Sequence, residues 1–84
     1  MNIAFTSEAF KSFTEWSMNN KQIYKKIVSL IIDICRDPFS GIGKPEPLKH
    51  ELSGYWSRRI TAEHRLVYSF DNDTVKIISC EYHY

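Results

Sequence analysis

The sequence lacks any hydrophobic run approaching the roughly 20 residues that cross a bilayer. Its most apolar stretch, Ile27 to Ile34, is interrupted by Ser29 and Asp33, so membrane insertion is not expected. Cysteine is scarce: Cys35 and Cys80 are the only two, too far apart for a CxxC redox site or a zinc ribbon. A bridge between them stays open on geometry, but the sequence reads without a secretory leader. The expectation is therefore a cytoplasmic protein in which both thiols stay free and pack as small buried hydrophobes. Excess charge is missing too: 11 Lys and Arg face 10 Asp and Glu, a formal net charge of +1 that does not by itself point to nucleic acid. Repeats, low-complexity tracts and linkers are likewise absent, and 84 residues leave room for one domain, expected to span 1–84.

What is present is aromatic and unevenly charged. Five Phe, five Tyr and two Trp let few side chains bury much area, which makes one modest core sufficient for a chain this short. Between Lys44 and Arg65 there are five Lys/Arg against three Glu, together with His50 and His64. A local basic excess of this kind, hidden by the net balance, is where a functional surface is sought.

Hydrophobic spacing gives the elements. Asn2 to Phe5 read as a short strand ending at Thr6-Ser7, a natural helix start followed by Glu8 in the first turn. Phe10, Phe13 and Trp16 recur every three residues along a first helix that ends near Asn19-Asn20. Asn19, with Gln22 at the return position, is the expected cap of a second helix. On that helix Ile23, Ile27, Leu30 and Ile34 are widened by Tyr24, Val28, Ile31 and Cys35 into a face broad enough to cover a sheet. Asp37-Pro38 stops it. All three prolines and two of the three glycines fall within 38–47, which predicts a ten-residue loop carrying Glu46 between two prolines. Tyr55–Thr61, Arg65–Phe70 and Thr74–Tyr84 are rich in aromatic and β-branched residues and predict an antiparallel meander. The fold class is α+β, two N-terminal helices packed on a twisted antiparallel sheet.

Glu46, Lys49, Arg58, Arg59, Arg65, His83 and Tyr84 lie apart in sequence and meet only if the loop folds over the sheet. Together they match the needs of RNA cleavage without a metal. Such a reaction takes a base for the 2′-hydroxyl proton, cations for the phosphate and an acid for the leaving 5′-oxygen, with an aromatic face for a splayed base. Taken one at a time they are bland. Glu46 alone is a solvated loop charge, Arg58-Arg59 a surface strand pair, and Tyr82 a core-face strand residue.

The order of the motifs is more specific. Gly43-Lys44-Pro45-Glu46-Pro47-Leu48-Lys49-His50, Leu52-Ser53-Gly54-Tyr55-Trp56-Ser57-Arg58-Arg59-Ile60, Glu63-His64-Arg65-Leu66-Val67-Tyr68 and Tyr82-His83-Tyr84 together resemble the YoeB branch of the RelE/ParE toxin superfamily. The likeness runs over the whole chain and is tightest from Gly43 onward. It implies a type II toxin with a microbial-RNase-like fold that cleaves mRNA in the ribosomal A site, without metal or other cofactor, leaving a 2′,3′-cyclic phosphate or 3′-phosphate. It also implies Glu46 as general base, His83 as general acid and Arg65 as transition-state stabiliser, with Lys49 and Arg59 assisting and Tyr84 holding the RNA. Arg58, His50 and His64 receive no chemistry from it and are expected to be structural or ribosome-facing. The implied partners are the 70S ribosome with its mRNA and a cognate YefM/Phd-like antitoxin whose acidic segment folds over the basic site. Operator DNA would be reached only through the antitoxin complex, and a homodimer is allowed. Two other functions fit the same scaffold: a non-catalytic ParE-like inhibitor, and a ribosome- or RNA-binding module.

Overall fold

The computed structural model describes residues 1–83, so the expectation for Tyr84 falls outside it. The elements are β1 (Asn2–Phe5), α1 (Ser7–Asn19), α2 (Lys21–Arg36), β2 (Glu46–Pro47), a 3₁₀ turn at His50–Leu52, β3 (Trp56–Arg59), β4 (His64–Asp71) and β5 (Thr74–His83). Both helices start on side-chain caps. The Thr6 hydroxyl accepts from the Ala9 amide at 3.1 Å, and the Asn20 side-chain oxygen Oδ1 accepts from the Ile23 amide at 3.2 Å. Asn20 is thus the second cap, one residue later than expected, because Asn19 still belongs to α1. Ile23 therefore occupies the position predicted for Gln22.

The five strands form one sheet in the order β1-β5-β4-β3-β2. The meander β3-β4-β5 is antiparallel as predicted, but β1 joins the edge of β5 in parallel, Asn2 opposite Thr74 and Phe5 opposite Ile77. A parallel pair needs a long connection, and here nearly the whole chain supplies it. At the other edge the predicted loop ends early. Glu46 and Pro47 pair with Ser57 and Trp56 as a two-residue strand. Pro47 has no N–H to give a ladder, which is tolerated because β2 has nothing beyond it.

Both helices lie on one face. Ile27, Leu30, Ile31 and Ile34 of α2 and Ala9 of α1 pack with Ile60, Leu66, Tyr68, Val75, Ile77 and Cys80 from the sheet side. The Trp16 indole N–H donates to the Cys80 carbonyl at 3.1 Å and fastens α1 to β5. Cys80 is fully buried, and burial pushes its thiol up to about 12, with Glu81 adding to the shift. Cys35 is only half-buried, less than expected, and both cysteines are free. Among the described residues no helix is long and apolar enough to cross a membrane.

Candidate active site

Alternation along β3 sends Ser57 and Arg59 to the face away from the helices and Arg58 into the core. Ser57 lies opposite Glu46 on one side and Val67 on the other, and Arg59 lies opposite Arg65. Glu46, Ser57, Arg59 and Arg65 therefore share one sheet face. Arg65 Nη1 donates to Glu46 Oε1 at 2.7 Å and to the Ser57 hydroxyl at 3.5 Å. The Arg65 side chain is 8% exposed and the Glu46 side chain 45%. The arginine is sunk into the sheet surface while the carboxylate reaches solvent above it.

Beside this pair opens a cleft of about 400 Å³, lined by Glu46, Pro47, Leu48, Lys49, His50, Leu52 and Tyr82. Its outer wall is the 3₁₀ turn, which Lys49 precedes and which the bond from the Leu52 amide to the Lys49 carbonyl closes at 3.2 Å. Of the residues singled out from sequence, the structure brings Glu46, Lys49, Arg59 and Arg65 to one face. Arg59 and Lys49 are exposed there. Ser57 and Tyr82 also belong to that face, though neither was singled out as a site residue from sequence.

Tyr82 corrects the reading that placed it on the core face. The pairing of β4 with β5 is irregular: Arg65 faces Tyr82, but Val67, two residues on, faces Ser79. A second shift lies between Val67 and Tyr68, so β5 carries two extra residues: Ile77 and Cys80 are buried on the core side, and Tyr82, opposite Arg65, lies on the outer face over the cleft. His83, next along the strand, lies on the other face. His83 lies opposite His64, their rings meet edge-on at 4.8 Å, and the His64 ring in turn meets Trp16 of α1 at 5.3 Å. His83 is thus exposed at the end of β5 on the helix side of the sheet, not beside Glu46 and Arg65.

Arg58 is likewise no surface residue. It is fully buried and uses every N–H it has. Nε donates to the Tyr68 hydroxyl at 3.1 Å, Nη1 to Asp33 Oδ2 at 2.5 Å and to the Ile42 carbonyl at 3.1 Å, and Nη2 to the carbonyls of Asp37 at 2.6 Å and Ser40 at 3.1 Å. The Tyr68 hydroxyl donates in turn to the Pro38 carbonyl at 2.6 Å. Asp33 collects hydrogen bonds from Arg36, Arg58 and the Ile42 amide, which hold its carboxyl well below the usual carboxylate range. Burial raises the Tyr68 phenol, with the nearby Arg58 opposing. Among the described residues no three His, Cys, Asp or Glu side chains gather so as to hold a metal ion.

Comparison with known proteins adds a family. The profile of a family described as a YoeB-like toxin of bacterial type II toxin-antitoxin system matches residues 5–84. Toxin YoeB of Escherichia coli is 52% identical over 84 residues, covering all of both chains. Two solved structures from Staphylococcus aureus superpose over the whole of this chain and 98% of theirs, each at 49% identity. One is the toxin chain of a heterotetrameric YoeB–YefM toxin–antitoxin complex, with a TM-score of 0.92, and the other a YoeB dimer, with a TM-score of 0.93.

Proposed function

The chain belongs to the YoeB-like toxins of bacterial type II toxin–antitoxin systems, and from that premise we propose that it is a ribosome-dependent endoribonuclease that cleaves mRNA in the A site and so halts translation. The observation that carries this reading is the pairing of a half-exposed carboxylate, Glu46, with a sunken guanidinium, Arg65, at the mouth of a cleft. In this reading Glu46 takes the proton of the 2′-hydroxyl, and the freed oxygen attacks the adjacent phosphorus. Arg65 meets the charge that grows on the phosphoryl oxygens, where fixed donors contribute most. Lys49 and Arg59, exposed on the same face, neutralise neighbouring phosphates. His83 protonates the departing 5′-oxygen, and Tyr84 supports the RNA. The products are a 2′,3′-cyclic phosphate, opened in part to a 3′-phosphate, and a free 5′-hydroxyl.

His83 stands against His64 in the free chain, so its part in the reaction requires it to leave that ring contact as RNA enters. A group at the end of an edge-exposed strand can make that change at small cost, and catalytic geometry commonly closes only around substrate. The proposed partners follow from the relatives: a cognate YefM-like antitoxin whose acidic segment covers the face that carries Lys49, Arg59 and Arg65, and a second copy of the chain. The proposed location is the cytoplasm, where ribosomes and antitoxin are.

Primer extension on a defined mRNA with programmed ribosomes tests the reading, wild type beside His83→Gln, with the cut ends assayed for 3′-phosphate. The expected result is discrete cuts in the A-site codon bearing such ends and lost in the variant. Intact mRNA with folded wild-type protein would move the assignment to an inhibitor or binder on the same scaffold.

A further inference from the structure

Glu46 sits on a strand that cannot hold itself. β2 is two residues long, one of them a proline, at the outer edge of the sheet. On its C-terminal side the Leu48 amide donates to the Tyr55 carbonyl at 2.9 Å. On its N-terminal side the chain arrives from residues 37–43, a stretch without helix or strand, where Arg36 donates to the Ser40 carbonyl at 3.2 Å and Arg58 supplies most of the remaining side-chain donors. Arg58 spends three of its five donors on carbonyls of that stretch, at Asp37, Ser40 and Ile42, and a fourth on Tyr68, whose hydroxyl takes the carbonyl of Pro38. The fifth goes to Asp33 of α2, whose other oxygen binds Arg36 and which also accepts from the Ile42 amide at 3.0 Å.

The last fixed point before Glu46 is Gly43. Its carbonyl accepts from the Arg59 amide at 2.7 Å, and a Cβ there would stand 2.7 Å from Leu30 Cδ2 and 3.2 Å from Arg58 Cβ. Three successive residues of β3 thus define the place of one carboxylate. Ser57 pairs with Glu46, Arg58 grips the incoming loop through the core, and Arg59 holds its end.

We propose that Arg58 is a positioning residue for the cleavage reaction: by fixing residues 37–43 to α2 and the core, it sets Glu46 against Arg65 on the opposite face. Arg58 touches no reacting atom; it acts through the backbone that delivers Glu46. This rests on the reading of the site as an endoribonuclease centre, in which a base displaced by about 1 Å loses on the order of a hundredfold in rate.

The experiment is a double-mutant cycle on programmed ribosomes, Arg58→Lys and Glu46→Gln alone and combined, with Tyr68→Phe as a milder second lesion in the same anchor. Amide exchange of Leu48 is followed in parallel. A lysine has three donors without the planar fork and cannot reproduce five fixed bonds. The expected result is a fall in kcat of at least tenfold for Arg58→Lys and a smaller one for Tyr68→Phe, with KM little changed. Leu48 exchange should be faster while β4–β5 amides stay protected, and neither lesion should cost more once Glu46 is already Gln. Equal losses in the wild-type and Glu46→Gln backgrounds would overturn the proposal, as would lost cleavage with unchanged Leu48 exchange. Should Arg58→Lys not fold, Tyr68→Phe decides by the same two criteria. Wild-type protein that does not cut at all would refute the cleavage reading instead, and the exchange data would still report whether the anchor sets β2.

Discussion

Two arginine–carboxylate pairs stand on opposite faces of the same sheet. Arg58 and Asp33, on the helix side, are 0% and 17% exposed, while Arg65 and Glu46, on the other, are 8% and 45% exposed. The arginines are alike in burial, so the difference lies with their partners. Asp33 is bound by Arg36, Arg58 and the Ile42 amide, and every donor of Arg58 is taken by its own chain. Such a set has nothing left for a ligand. Glu46 is presented to a cleft with one oxygen on Arg65, and an incoming hydroxyl can reach it. A buried ion pair is weak evidence for stability as such. Here the carboxylates' surroundings, rather than the presence of a pair, separate the two: Asp33 is enclosed by donors of its own chain, while Glu46 opens on the cleft.

The comparison breaks most sharply under substitution of the two arginines. Arg65→Ala is expected to lower the cleavage rate by about a hundredfold or more, the scale seen when a fixed donor to a developing charge is lost. Its melting temperature should stay close to wild type, and single-turnover cleavage with calorimetry on the same protein checks both. Arg58→Ala is expected to do its damage in stability. The carbonyls of Asp37 and Ile42 lose their side-chain donor together, while Ser40 keeps that of Arg36; each such loss costs about 1–3 kcal/mol, and a domain of this size melts roughly 4–8 °C lower per kcal/mol. A drop of more than about 10 °C is expected by calorimetry, where a drop under about 3 °C would erase the distinction.

A smaller effect separates the pairs by pH. Because the folded Asp33 carboxyl is held below its ordinary value, its contribution is present above the unfolded value of about 4 and is lost as pH falls below it. Asp37 shifts the same way, held down by the Phe39 amide and the Ser40 hydroxyl. Melting followed from about pH 6 to about pH 2.5 should therefore decline more steeply in wild type than in Asp33→Asn. Parallel curves would show that the inner carboxylate is not tied to folding in this way.

The parts of this comparison were unequally legible in the sequence. Helix periodicity at Ile23, Ile27, Leu30 and Ile34 and the three aromatic strand runs were readable because burial imposes a fixed spacing on each. The family motifs pointed to Glu46, Arg65, Lys49 and Arg59, which the sheet does bring to one face. Taken alone Arg58 read as one of a surface pair, because adjacent arginines look alike in sequence, while the family resemblance left it structural or ribosome-facing; only strand alternation with a carboxylate 25 residues earlier makes it the interior one. Tyr82 was misplaced for a different reason. Two shifts in the pairing of β4 with β5 break the alternation between Ile77 and Tyr82 and leave no mark in composition. The parallel placement of β1 was equally hidden, since a four-residue strand does not reveal its partner.

The most direct test of the division between the two faces is the single-turnover cleavage rate of Glu46→Gln on programmed ribosomes. The substitution keeps the shape of the side chain and an oxygen for Arg65 but removes the base. A loss of about a hundredfold or more is expected, in protein that melts within a few degrees of wild type. A rate within about threefold of wild type would contradict the assignment of proton abstraction to Glu46, and with it the claim that the exposed pair, rather than the buried one, carries the chemistry.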